Sequence, residues 1–125
     1  MRILIVDDEQ AVAAALADSV KLQGHAPAVA YSGAEGLAAI ATESPDAVFL
    51  DLVMPGLSGV ELLKQIRERY PELPIVVVTG RAVPMDLDEV RQLGVTDIVE
   101  KPWVLKQLNE ALDTLRTGQD RLARR

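Results

Sequence analysis

Ile3-Leu4-Ile5-Val6-Asp7-Asp8-Glu9 is the stretch on which the fold turns. A continuous aliphatic run fits a strand buried on both faces, as in the middle of a parallel sheet. Three acids follow at once, so the chain leaves the sheet where polar groups gather. Outward from this stretch the pattern recurs, with apolar runs at Ala28 to Ala30, Ala47 to Leu50, Ile75 to Val78 and Val95 to Val99. Between the runs lie segments of helical spacing: Val12, Leu16 and Val20; Val60, Leu63 and Ile66; and Leu105, Leu108, Leu112 and Leu115.

The punctuation agrees. Ser32 with Glu35, and Ser58 with Glu61, fit the capping box, in which a hydroxyl and a carboxylate satisfy the first amides of a helix. Pro84 followed by Asp86, Asp88 and Glu89 suits another helix start, and Glu9 reads as a first-turn acid. Gly24, Gly94 and Gly118 stand where left-handed caps would end the first, fourth and fifth helices. Fivefold strand-helix alternation with short connections implies right-handed crossovers and a doubly wound α/β sheet, with functional groups at the carboxyl ends of its strands. Pro27 would put the second strand at an edge, where a missing amide is tolerated.

A length of 125 residues suits one domain, here assigned to 1–117, with 118–125 as a tail or the start of a linker. Hydrophobic residues at 49% and charged residues at 26% exclude disordered and coiled-coil compositions. A net charge of -6 argues against nucleic acid as a direct partner. The absence of cysteine removes disulfides, zinc-thiolate sites and a cysteine nucleophile. The single histidine, His25, cannot build a multi-histidine metal site and reads as a solvated or backbone-bonded ring in a turn. No apolar run approaches the length of about 18 residues that spans a membrane, and the first strand begins too early for a signal peptide. The expected compartment is the cytoplasm, with no membrane contact.

The residues at the strand ends carry the chemistry: Asp7, Asp8 and Glu9 after the first run, Asp51 after the third, Thr79 after the fourth, and Lys101-Pro102 after the fifth. Carboxylates gathered on one rim repel one another and call for a cation. Magnesium, which takes oxygen ligands and keeps several waters, suits that set, and manganese is an acceptable substitute. Asp51 could then attack phosphorus as a nucleophile, with Thr79 donating a hydroxyl proton and Lys101 a point charge to the phosphoryl oxygens.

These elements together, Ile-Leu-Ile-Val-Asp-Asp-Glu, then Asp51-Leu-Val-Met-Pro-Gly with Gly59 beyond it, then Val-Val-Val-Thr79-Gly, then Lys101-Pro102, closely resemble a two-component response-regulator receiver domain. The resemblance implies a flavodoxin-like, chemotaxis-regulator-like (βα)5 fold with strand order 2-1-3-4-5. It implies that Asp51 accepts a phosphoryl group from a sensor histidine kinase or a histidine phosphotransfer protein. Asp8, Asp51 and the Val53 carbonyl would hold magnesium, with Asp7 acting mainly through water. Thr79 and Lys101 would engage the phosphoryl group, and Pro102 would follow a cis peptide that aims the lysine. The output would pass to a downstream effector protein or to a C-terminal output domain, and homodimerisation is compatible with the pattern. Such a domain is a switch rather than an enzyme.

Ile98 departs from the family pattern, since an aromatic residue is common three positions before the lysine. A β-branched side chain cannot perform the aromatic rotamer switch. Signalling is therefore expected to run through the Gly80 to Val83 loop and the fourth helix. Val53 and Arg81 flank the path of attacking water in this family. Valine cannot orient water and arginine could cover the site, so self-hydrolysis is expected to be moderate to slow. Three rivals are weaker. A haloacid-dehalogenase-type phosphatase normally has two aspartates separated by one residue on one strand. A flavodoxin-like cofactor binder needs a hydroxyl- and glycine-rich first loop. A pseudo-receiver docking module has no need of intact Asp8, Asp51, Thr79 and Lys101.

Overall fold

A computed structural model describes residues 1–52, 59–79, 84–100 and 110–117. The elements run β1 (Arg2–Val6), α1 (Gln10–Leu22), β2 (Ala26–Ala30), α2 (Gly33–Glu43), β3 (Ala47–Asp51), α3 (Gly59–Arg69), β4 (Ile75–Thr79), α4 (Pro84–Gln92) and β5 (Asp97–Glu100). A further helical stretch covers 110–117. The strands form one parallel sheet in the order β2-β1-β3-β4-β5, as expected.

Period-two alternation sorts the strand residues onto two cores. Ile3, Ile5, Phe49, Val76 and Val78 pack with Ala13, Leu16 and Val20 of α1 and with Ala111, Leu112 and Leu115. Leu4, Val6, Val48, Leu50, Ile75 and Val77 face the other way, against Ile40, Leu62, Leu63, Ile66 and Val90. Helices on both faces explain why β1, β3 and β4 read as unbroken apolar runs. Each fully buried aliphatic or aromatic side chain contributes about 1.5–3 kcal/mol, so the two layers supply the main drive to fold.

Pro27 lies on the edge strand, opposite Ile3. The Ala26 amide donates to the Met1 carbonyl oxygen at 2.9 Å, so strand alternation turns the nitrogen of residue 27 toward the open side. The missing N–H therefore costs the ladder nothing.

Ser32 caps α2, its Oγ accepting the Glu35 amide at 3.1 Å, while the Glu35 carboxylate accepts from the Tyr31 amide at 2.8 Å rather than from Ser32. Gly24 and Gly94 take φ values of +86° and +75°, as their cap positions require. Helix α2 ends instead on left-handed Ser44, φ +48°. Ser58 and Gly118 lie outside the described residues.

Three local readings are corrected. Strand β2 begins at Ala26, because its ladder to Arg2 and Ile3 forms through small residues that make no apolar run. Strand β5 begins at Asp97, since Val95 packs on the core from the preceding connection without joining the ladder. Glu9 is the N-cap residue of α1 rather than a member of its first turn. In addition, His25 Nδ1 sits 3.0 Å from a main-chain group, the Met1 amino nitrogen.

Candidate functional site

The carboxyl ends of β1 and β3 are adjacent, and the chain leaves them toward opposite edges of the sheet. That is the crevice where open α/β sheets place their ligands. Val6 lies opposite Leu50, so Asp7 and Asp51 come next along neighbouring strands. Asp51 in turn lies opposite Val78, which places the Thr79 backbone one residue further up β4.

Carboxylate oxygens of Asp7, Asp8 and Asp51 all lie within 4.8 Å of one another. Asp7 and Asp51 are only 1% and 2% exposed, whereas Asp8 reaches solvent. Asp7 is fixed through both backbone and side chain: its amide donates to the Ala30 carbonyl at 3.0 Å, and its Oδ1 accepts the Glu9 amide at 3.0 Å. That short turn aims the start of α1 away and leaves the Asp8 carboxylate at the mouth of the crevice.

Asp51 is set from behind by fully buried β3 and from ahead by the chain's return. The Gly59 amide donates to the Leu52 carbonyl at 3.1 Å, joining the start of α3 to the residue after Asp51. A Cβ on Gly59 would overlap the Leu52 backbone. Only glycine permits this approach, a physical reason for Gly59 in the motif.

With an effective dielectric near 20, two ionised carboxylates about 4.8 Å apart repel by about 3 kcal/mol. Three of them, two shut away from bulk water, form a group whose mutual repulsion a divalent cation would offset. The donors are all oxygens, with neither imidazole nor thiolate among them, which fits a hard ion such as magnesium. Among the described residues this is the acidic group with metal-ligand spacing.

Ile98 stands opposite Val77 on β5, partly buried against the Leu4 and Val77 layer. Val53, Gly80, Arg81, Lys101 and Pro102 lie outside the described residues, and Thr79 is described in its backbone alone. The sequence expectation thus has Asp7, Asp8 and Asp51 in one place, with Thr79 on the adjoining strand end.

A parallel 2-1-3-4-5 sheet bearing this triad at its switch point defines the class of the protein. The chain belongs to the response regulator receiver domain family, whose model matches residues 3–113. It is a receiver domain of the two-component response regulators. Response regulator MprA of Mycobacterium avium (strain 104) is 39% identical over 108 residues, which cover 86% of this chain and 47% of the relative. MprA of Mycobacterium sp. (strain KMS) is 38% identical over 122 residues, 96% of this chain and 53% of that one. The chain thus spans about half the length of these curated relatives.

Among solved structures, a CheY-like response regulator receiver domain protein from Methanospirillum hungatei JF-1 superposes with a TM-score of 0.89 at 27% identity, covering 96% of this chain and 97% of that one. NtrX from Brucella abortus, solved in complex with ATP, gives a TM-score of 0.82 at 32% identity, covering 95% of this chain and 28% of its own. Among the described residues, no helix is long and apolar enough to cross a membrane.

Proposed function

We propose that this receiver is a phospho-acceptor switch in a histidine-to-aspartate relay, with Asp51 as the acceptor. The observation that carries this reading is the convergence of the Asp7, Asp8 and Asp51 carboxylates within 4.8 Å at the switch point of the sheet. An Asp51 carboxylate oxygen attacks the phosphorus of a donor phosphohistidine. The new P–O bond forms as the P–N bond breaks, and the imidazole leaves with the electron pair. Asp8, Asp51 and the Val53 carbonyl would hold magnesium, or manganese in its place, with Asp7 acting mainly through water. When bound, that ion offsets charge on the carboxylates and on the incoming phosphoryl oxygens.

Thr79 donates its hydroxyl proton to one phosphoryl oxygen, and Lys101, aimed by Pro102, places its ammonium beside another. The Gly80 to Val83 loop and α4 then carry the signal, because Ile98 has no aromatic ring to turn. With Val53 and Arg81 beside the water path, the aspartyl phosphate is expected to be longer-lived than seconds.

The donor is a sensor histidine kinase or a histidine phosphotransfer protein, and the recipient is a separate effector or an output domain following the receiver unit at 1–117, with 118–125 as a tail or the start of a linker. The setting is cytoplasmic. Treating the protein with acetyl phosphate, or with beryllofluoride, in the presence of magnesium should modify the wild type stoichiometrically and leave Asp51→Asn unmodified. Equal responses would remove Asp51 from its role, and steady turnover of phosphomonoesters would favour a phosphatase.

A further inference from the structure

Among the described residues Arg67 is the most heavily engaged side chain outside the acidic site, and the sequence gives no sign of it. Its Nε donates to the Leu93 carbonyl at 2.7 Å and one terminal nitrogen donates to the Gly94 carbonyl at 3.0 Å. The other terminal nitrogen donates to the carbonyls of Tyr70 at 3.1 Å and Leu73 at 2.6 Å. One guanidinium therefore joins the α3–β4 connection to the carbonyls that close α4. Its positive charge also opposes the dipole at that helix end.

The base of this clamp is firm. Leu62, Leu63 and Ile66, on the neighbouring turns of α3, are each at most 1% exposed. A second tie lies one turn earlier on α4, where Lys64 Nζ meets Glu89 Oε1 at 2.7 Å. That pair is solvent-exposed and therefore weak, so the fork of Arg67 dominates. The geometry holds the C-terminal end of α4, while its N-terminal end follows β4 and Thr79.

We propose that Arg67 makes the C-terminal end of α4 a fixed pivot, so that phosphorylation swings the N-terminal end of the helix instead of translating the whole. This rests on the phospho-acceptor reading of Asp51. Arg67 is a positioning residue, remote from the reacting atoms.

Amide hydrogen exchange by NMR on the full chain, with magnesium and with or without beryllofluoride, tests it. Without the mimic, Arg67→Met should raise exchange at 91–94 by roughly tenfold while β1 and α1 keep their protection. In the wild type, beryllofluoride should change exchange at 85–88 and leave 91–94 unaltered; in Arg67→Met the change should spread to 91–94. Should Arg67→Met not fold, Arg67→Lys, which offers a point donor in place of a fork, is read the same way with a smaller factor.

Wild-type protection at 91–94 in the folded variant overturns the clamp, and a wild-type response at 91–94 equal to that at 85–88 overturns the pivot. A wild type as silent to beryllofluoride as Asp51→Asn overturns the phospho-acceptor reading and the swing with it. The comparison made without the mimic judges the clamp separately.

Discussion

The backbone of Gly59 is pressed against that of Leu52, with a hydrogen bond of 3.1 Å from the Gly59 amide to the Leu52 carbonyl and no room for a Cβ. Because Leu52 follows Asp51 directly, this contact between the start of α3 and the end of β3 sets the position of the Asp51 carboxylate. Gly59→Ala must push the two backbones apart, and we expect a loss of about 3 kcal/mol of stability. Urea unfolding measures the loss. Beryllofluoride binding by the fraction still folded should weaken as well, since Asp51 moves with Leu52.

Gly36 provides the contrast. A Cβ there would meet the methyl groups of Val6 at 3.0 and 3.2 Å, contacts with side-chain atoms that can yield by a few tenths of an ångström. Alanine inside α2 also gains about 1 kcal/mol of helix propensity over glycine. Gly36→Ala should stay within about 1 kcal/mol of wild type in the same unfolding assay.

The acidic triad should make stability depend on magnesium with an inverted mutational order. In chelator, Asp8→Asn removes one repelling charge at the partly exposed mouth of the crevice and should raise stability by about 1 kcal/mol. With magnesium at 100 times its dissociation constant, the wild type should gain about 2.7 kcal/mol and the variant far less. Thermal melts of both proteins in chelator and in magnesium read the crossing directly. Parallel melts would remove the metal assignment.

His25 supplies a pH dependence on the acid side. Burial, followed by the charges of the amino terminus and Arg116, pushes its pKa below the ordinary value of 6.5. Arg116 itself pairs with Asp113 at 3.5 Å. The unfolded chain therefore takes up the proton first. The contribution of His25 to stability is complete above about 6.5 and is lost as pH falls through the lower folded-state value. His25→Gln should flatten this part of the curve, measured as unfolding midpoints from about pH 7 down to pH 5. An unchanged slope would assign the dependence to other groups.

The sheet was legible because its strands are buried on both sides and must be apolar throughout. Asp7, Asp8 and Asp51 were legible because strand ends are where polar residues have to be explained. Arg67 was not. It stands in α3 among the charged residues Lys64, Glu68 and Arg69, and its partners at Leu93 and Gly94 become neighbours only after two more elements have packed. Ser44 escaped for a related reason, since its left-handed φ violates local preference and is imposed by the short link between α2 and β3. Val95 shows the converse, an apolar residue packed on the core, partly buried, without being part of a strand.

The outward-facing nitrogen of Pro27 has a consequence for how copies of the protein behave together. An unprotected outer strand offers donors and acceptors that a strand from another molecule can zip onto, which is how native sheets begin to aggregate. At Pro27 one of those donors is absent, so a would-be partner strand meets a gap near the start of β2. Pro27→Val would close the gap without disturbing β1. Prolonged incubation at high concentration should then produce light-scattering assemblies that the wild type resists, making the proline a guard on solubility that folding itself does not require.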